Sequence, residues 1–533
     1  MTELRRLGRV LVANRGEIAI RVIRACRTAG LPAMAVYSDA DRGGRHVALA
    51  DAAVRIGPAP ARESYLSIPR LLAAARETGC GAVHPGYGFL SESAAFARAV
   101  VDAGMIWIGP PPEAMEAMGS KISAREKMRV AGVPVVPGAL IGALEEHEES
   151  EGKKKISLNG EEAMRSAGAR RVAPPRPATS GTFEENLSSV LSLGFPVVVK
   201  ASAGGGGKGM RIVRDASSLS EAITSCRREA LAAFGDSTVY VEKYLSSPRH
   251  IEVQIFGDTH GKVVALGERE CSLQRRHQKI IEECPSPAVT PELRERFRNA
   301  ACDAARAVGY VNAGTVEFLL EPSGAFYFLE MNTRLQVEHP VTEEAFGVDL
   351  VALQLRVAAG EPLPELPSEP SAHAMEARVY AEDPDAGFLP QAGRLLAWIE
   401  PSGPGLRVDS GVTAGQAVDV HYDPLLAKIV AKGRDREEAR GRLVAALGET
   451  VALGVATNLS WLKRLLEAGP VARGELHTGL VESLSLPAPP PPPDEVFQAA
   501  SAVLSRAAAG PGEDSGRGRW PSPFAGRFRM GGA

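Results

Sequence analysis

The sequence predicts an α/β chain in three folded parts: a doubly wound N-terminal domain, a central domain with a glycine-rich lid, and an antiparallel α+β C-terminal domain. Three observations predict it. Residues 9–13 form a short apolar strand, Asn14-Arg15-Gly16 a turn, 17–28 an amphipathic helix and 33–37 a second strand, the β-α-β opening of a doubly wound sheet. Residues 314–339, GTVEFLLEPSGAFYFLEMNTRLQVEH, place two alternating segments, 315–321 and 325–332, around Pro322-Ser323-Gly324, the pattern of an antiparallel hairpin. From residue 376 onward, EARVYAEDP, GRLLAWIE, GLRVDSGV and LAKIVAKG carry strand pattern and read as an antiparallel region.

At 533 residues the chain is long enough for three or four domains. A formal charge of -3 gives no general attraction to nucleic acid or to an anionic membrane, so substrates must be held by local charges. Six cysteines, Cys26, Cys80, Cys226, Cys271, Cys284 and Cys302, are scattered without CxxC spacing, which argues against a disulfide framework and a zinc site. No apolar run reaches membrane-spanning length, and MTELRR leads almost at once into a strand. A cytoplasmic location is expected.

Taken in order, the turn after the first strand lacks GxGxxG, so a dinucleotide fingerprint is absent there. HPGYGFLSE, residues 84–92, is a glycine-punctuated loop before a helix. Lys121 opens a helix reaching about residue 131, and from spacing alone it reads as a solvated helix residue. From about residue 142 to 180 the chain carries blocks of opposite charge, EEHEESEGKKK and GARRVAPPRPATSG, with little periodic apolar content, and it reads as a disordered surface insertion. Long loops cost little closure entropy, so the fold is expected to survive it.

FPVVVKA, residues 195–201, runs as a strand into a glycine cluster containing Gly205, Gly206 and Gly207. Glycines at that density let backbone N–H groups wrap an anion, and Lys200 at the strand end can neutralise a phosphate. It is not a Walker loop, because Lys208 is followed by glycine. TVYVEKYL, residues 238–245, offers a strand edge of alternating donors and acceptors suited to an adenine edge, though a plain structural strand has the same pattern. His250, Glu252 and Gln254 alternate on the next strand, and ERECSLQRRHQKIIEECP concentrates Gln274, Arg275, Arg276, His277 and Lys279. Cys271, with no base identified beside it, reads as a small buried residue.

In the hairpin, pairing Glu321 with Phe326 puts Leu319 opposite Phe328 and Glu317 opposite Glu330. Like charges directly opposite are destabilising unless something positive lies between them, and paired hard oxygens are what Mg²⁺ takes beside phosphates. The pair reads as a metal clamp. The period of two continues through Asn332, Arg334, Gln336 and Glu338, as it would on a solvated outer strand. A helix is expected over 342–359, Arg378 lies inside a strand where it could pair with an acid, and helices over 436–448 and 459–467 close the third domain. PAPPPPP, residues 487–493, is a stiff spacer before a helix at 494–509 and a short tail.

EMNTRLQVEHPVTE together with GTVEF resembles the metal and bicarbonate site of the biotin carboxylases, a branch of the ATP-grasp superfamily, and motifs of the same family recur from about Arg9 to about Leu486. The resemblance implies an N-terminal domain over 1–114, an ATP-grasp domain over 115–333 with its lid at about 138–242, a C-terminal domain over 334–486, a linker and helix over 487–516, and the start of a carboxyltransferase-coupling domain over 517–533. It implies that Lys121, Lys200 and the glycines contact ATP phosphates, that Glu242, Lys243 and Leu245 meet the adenine, and that His250, Gln274 and His277 line the nucleotide site. Glu317, Glu330 and Asn332 would hold Mg²⁺ or Mn²⁺. Lys279, Arg334, Gln336 and Val337 would hold bicarbonate, with Glu338 its general base and Arg378 stabilising the enolate-like form of biotin.

The implied reaction is ATP- and bicarbonate-dependent carboxylation of biotin through carboxyphosphate. No Ala-Met-Lys-Met acceptor motif occurs, so the biotin is expected on a separate biotinyl carrier domain or protein. EARVYAEDP, HYDPLLAK and the tail place the chain with the propionyl- or methylcrotonyl-CoA carboxylase alpha subunits, with a carboxyltransferase partner and a homodimeric state implied. Two other readings stay open: another ATP-grasp ligase, which would not need Arg334, Gln336, Glu338 and Arg378 in this arrangement, and a catalytically idle scaffold.

Overall fold

The computed structural model describes residues 3–141, 190–201, 210–234 and 237–487, together with 494, 498 and 501. The glycines Gly205, Gly206 and Gly207, the 142–180 insertion, nearly all of the 487–516 linker and helix, and the 517–533 tail lie outside the described residues, as does the side chain of Lys121. Residues Met1–Leu484 form one compact unit and Ser485–Ala533 a second, in which Asp494, Gln498 and Ser501 are helical. Among the described residues, no helix is long and apolar enough to cross a membrane.

The N-terminal sheet has five strands, in the order Ala52–Gly57, Ala33–Ser38, Arg9–Val12, Cys80–His84 and Ile106–Trp107, all parallel. Apolar runs such as Val10, Leu11 and Val12 are fully buried, as strands covered on both faces must be. The first helix, Gly16–Thr28, starts where Gly16 takes φ 65° and turns the chain back onto the sheet. Asn14 donates from Nδ2 to the carbonyls of Pro85 at 2.7 Å and Tyr87 at 2.8 Å, which fixes the HPGYGF loop at the carboxyl ends of the strands.

The lid sheet runs in the order Gly138–Ile141, Val239–Lys243, Val197–Ala201, Arg211–Val213, all antiparallel, with the helix Leu219–Phe234 packed on it through Ile223 and Cys226. Val197, Val199 and Val241 are fully buried between them.

A single eight-stranded antiparallel sheet forms the centre, in the order Phe326–Asn332, Asn312–Leu320, Arg249–Gly257, Val263–Arg275, Gln278–Cys284, His373–Tyr380, Leu425–Gly433, Leu406–Ser410. One face of the hairpin is aromatic: Phe318 and Phe326 meet Phe297 of the helix Pro291–Ala307, with the Phe297 and Phe326 rings 4.2 Å apart, and Phe328 packs edge-on to Phe318. Each buried ring stabilises by roughly 2–3 kcal/mol. The opposite face is left for polar groups.

Three sequence expectations change. At the turn end the hairpin pairs Leu320 with Phe326 and Leu319 with Tyr327, not with Phe328. An extra residue, Leu329, then bulges out, and the shift restores Glu317 opposite Glu330. Beyond Asn332 the strand stops, because the Thr333 N–H is taken at 3.3 Å by Glu92 instead of by a ladder partner. The helix expected over 342–359 is two helices, His339–Phe346 and Leu350–Ala358. Gly347 ends the first in the left-handed region at φ 68°, and Asp349 caps the second by accepting from Ala352 N at 2.7 Å.

Candidate active site

The polar face of the central sheet gathers charge by register. Glu252 lies opposite both Arg269 and Glu317 on neighbouring strands, and Glu317 lies opposite Glu330, so three carboxylates form a row across three strands. The next strands enter through a two-residue hairpin in which Arg276 and His277 take φ 50° and 67°, the backbone twist that suits such a turn. That hairpin brings Lys279 over the row. Its ammonium lies 2.6 Å from Glu252 Oε2, 2.7 Å from Glu317 Oε1 and 2.7 Å from Glu338 Oε1.

Around this cage the partners are shared. His250 Nε2 sits 2.9 Å from Glu317 Oε2, and Asn332 and Gln336 donate to Glu317 Oε1 at 2.9 and 3.2 Å. Arg378 reaches Glu338 Oε2 at 3.0 Å and Glu282 Oε1 at 2.5 Å. Arg269, fully buried, ion-pairs with Glu252 and donates to Gln254, Thr315 and Thr342, so it ties three strands and the helix His339–Phe346 together beneath the cage.

The electrostatics follow from these contacts. Burial opposes the charge on Lys279, but Glu252, Glu317 and Glu338 together hold its pKa well above the ordinary lysine value. Burial likewise works to raise Glu338, yet Lys279, Arg378 and Arg269 outweigh it and leave the carboxylate well below its usual range. Glu317 is pulled down in the same way by Lys279 and His250, while His250, despite its burial, is raised by Glu317. Burial also works against the charge on Arg378, and Glu282 leads the groups that nevertheless raise it.

Behind Arg378, Glu282 and Glu376 face each other on adjacent strands, both fully buried. Burial, offset in part by Arg378 and reinforced by Glu338, lifts Glu282 to about 7. Folded Glu282 therefore keeps a proton that the unfolded chain has released between its ordinary 4.5 and 7, so this group weakens folding as pH rises through that window. Glu282→Gln is expected to flatten the fall of unfolding free energy across it, measured by urea titration at several pH values. An unchanged slope would contradict the assignment.

The other residues singled out in sequence take these places. Arg334, 18% exposed, pairs with Glu92 at 3.0 Å and donates to Gln336 at 2.6 Å and Asn332 at 3.3 Å, joining the site to the loop of the N-terminal domain. Glu330 occupies an exposed strand position opposite Glu317. The Val337 carbonyl accepts from the fully buried Lys428 at 2.8 Å. Gln274 is buried and pairs in register with Lys279, whereas His277 is exposed at the hairpin tip. Lys200, Glu242, Lys243 and Leu245 are apart from the cage on or beside the lid sheet: Lys200 ion-pairs with Glu242, Lys243 reaches Glu321 at 3.2 Å, and Leu245 is buried. Cys271 is buried, and burial pushes its thiol well above the usual value. Cys26, Cys80, Cys271, Cys284 and Cys302 are buried and form no disulfide.

Sequence reasoning missed Glu252 as a cage member, Arg269, Lys428, the Glu282 and Glu376 pair, and Glu92. The alternation of His250, Glu252 and Gln254 was the available signal for the first, since a strand that puts His250 in a site puts Glu252 there too.

Three family models match: "Biotin carboxylase, N-terminal domain" over residues 6–115, "Carbamoyl-phosphate synthase L chain, ATP binding domain" over 158–366, and "Biotin carboxylase C-terminal domain" over 376–483. The chain is 44% identical to the mitochondrial methylcrotonoyl-CoA carboxylase subunit alpha of Dictyostelium discoideum, over 94% of this chain and 68% of that one. It spans 60% of the corresponding subunit of Oryza sativa subsp. japonica. It is 44% identical to the biotin carboxylase of Allochromatium vinosum, over 90% of this chain and 98% of that protein. Among solved structures, the biotin carboxylase domain dimer of Hydrogenobacter thermophilus 2-oxoglutarate carboxylase, in complex with MgADP, ADP and bicarbonate, aligns with a TM-score of 0.75 and 40% identity, over 89% of this chain and 97% of that one.

Proposed function

The chain belongs to the biotin carboxylase family of ATP-dependent ligases, and from that membership we propose that it carboxylates carrier-borne biotin with ATP and bicarbonate. The observation that carries the reading is a carboxylate, Glu338, held between two cations, Arg378 at 3.0 Å and Lys279 at 2.7 Å, the second shared with Glu252 and Glu317 of the acid row. A base for bicarbonate needs cations on either side of it, one to hold the anion and one to face the charge that develops on biotin.

The donor set fits Mg²⁺. Glu317 brings hard oxygens opposite Glu330, the Asn332 amide lies against Glu317, and the row already accommodates a positive charge in the Lys279 ammonium. When bound, Mg²⁺ would neutralise phosphate oxygens of ATP. Lys200, Lys121 and the glycines contact the phosphates, and Glu242, Lys243 and Leu245 present the strand edge that meets the adenine. His250, Gln274 and His277 complete the nucleotide site in this reading.

Bicarbonate binds against Lys279, Arg334, Gln336 and Val337. In the resting site Lys279 and Arg378 hold Glu338 well below the usual carboxylate range, which makes it a weak base. Each substrate that recruits one of those cations removes part of that depression, so Glu338 becomes basic as the reactants arrive. It takes the bicarbonate proton, the bicarbonate oxygen attacks the γ-phosphorus, and ADP leaves. Carboxyphosphate then breaks at its C–O bond into CO₂ and phosphate, the phosphate takes the proton of the biotin ureido nitrogen, and that nitrogen bonds to CO₂ while Arg378 faces the negative charge that develops on the ureido group.

We further propose the domain division 1–114, 115–333 and 334–486, with the linker and helix over 487–516 and a carboxyltransferase-coupling start over 517–533. The first half-reaction of a methylcrotonyl- or propionyl-CoA carboxylase, with a biotinyl carrier, a carboxyltransferase subunit and a homodimeric state, completes the proposal. The identity to alpha subunits and the dimeric structural neighbour support it. Buried cysteines that form no disulfide, Cys26, Cys80, Cys271, Cys284 and Cys302, suit a reducing compartment such as the cytoplasm. Transfer of label from ¹⁴C-bicarbonate to free biotin, dependent on ATP, tests the reaction. Label in carboxybiotin is the expected result, and ATP consumption without labelled biotin would contradict it.

A further inference from the structure

The helix Lys121–Val130 carries Arg125 one turn after Lys121, and its side chain is 14% exposed. Arg125 reaches across to the lid sheet. NH1 lies 2.9 Å from Glu242 Oε2, NH2 donates to the Val136 carbonyl at 2.5 Å, and the guanidinium stacks over the Tyr240 ring at 4.7 Å. The other Glu242 oxygen, Oε1, ion-pairs with Lys200. The carboxylate is 8% exposed, and it fits because residue 138, opposite it in register, is glycine: a Cβ there would stand 2.8 Å from Glu242 Cβ and 2.7 Å from the Val241 carbonyl.

One buried carboxylate is thus shared by two cations. Lys200, at the end of its strand, is the one that nucleotide phosphates would recruit. When it leaves, Glu242 keeps a counter-ion only if Arg125 stays, because a buried carboxylate without a partner is costly. We infer that Arg125 is a positioning residue for the nucleotide, which retains the charge of Glu242 and so releases Lys200 to the phosphates. The inference rests on the ATP-site reading above. It assigns to Arg125 an effect on ligands that carry phosphate and none on the nucleoside alone.

The test is calorimetric binding of MgADP and of adenosine to the full chain. Arg125→Met is expected to weaken MgADP about tenfold and adenosine less than about twofold. Adding Glu242→Gln to Arg125→Met removes the buried charge left without a counter-ion, so the double variant should regain most of the MgADP affinity that Arg125→Met loses. Equal loss for both ligands, unrelieved by Glu242→Gln, would mean that Arg125 merely braces the helix against the lid and would overturn the inference. Should Arg125→Met fail to fold, a double variant Arg125→Met with Glu242→Gln whose MgADP affinity falls about tenfold while its adenosine affinity stays within about twofold of wild type would also overturn it. Wild type that binds neither ligand would instead overturn the nucleotide-site reading, and this inference with it.

Discussion

Replacing Glu338 by glutamine is expected to lower bicarbonate-dependent ATP cleavage by roughly 10²–10⁴-fold, the range for loss of a general base, while the KM for ATP stays within about threefold. Glutamine keeps the shape and the hydrogen-bonding reach of the side chain and removes only its charge and basicity. The variant should fold, because Lys279 still has Glu252 and Glu317 and Arg378 still has Glu282. Steady-state phosphate release read at saturating bicarbonate checks it. Near-wild-type turnover would show that the base lies elsewhere, and a large rise in KM with unchanged kcat would assign Glu338 to binding.

Lys279→Met is expected to destabilise the metal-free protein by about 3–5 kcal/mol, since it leaves Glu252, Glu317 and Glu338 facing one another without the ammonium that separates them. Arg269 and Arg378 keep Glu252 and Glu338 partly compensated, so the loss falls most heavily on Glu317, whose remaining cationic partner is His250. A divalent cation can fill that role. Mg²⁺ should therefore raise the melting temperature of Lys279→Met by more than it raises that of wild type, and turnover should stay low even at saturating Mg²⁺ because bicarbonate has lost its ammonium. Equal Mg²⁺ shifts in the two proteins would contradict the idea that lysine and metal answer to the same carboxylates.

The parts legible in sequence were those written in local periodicity. Alternation in residues 315–332 gave the hairpin, and two glutamates in register gave the acid pair. The route to that pair was wrong, because a turn-based register has no way to foresee the Leu329 bulge. The polar run after Asn332 keeps a period of two although it is a loop, since the side chains of Arg334, Gln336 and Glu338 answer to Glu92, Glu317 and Lys279 and not to a sheet face. The break at Gly347-Val348-Asp349 was missed in favour of one helix over 342–359, although a glycine followed by a capping acid marks it. The charges beneath the site were not legible. Glu282 faces Glu376 only because strands distant in sequence become neighbours in the eight-stranded sheet, and Arg269 meets Glu252 from the next strand through a register that shifts between Val253 and Ile255.

The most direct test of the central claim is phosphate release from MgATP by the wild-type chain under four conditions, with and without bicarbonate and with and without free biotin. Cation-flanked Glu338 and Arg378 predict slow release with ATP alone, stimulation by bicarbonate, and further stimulation when biotin is added. Release at one rate under all four conditions would contradict the assignment of this site to bicarbonate and biotin.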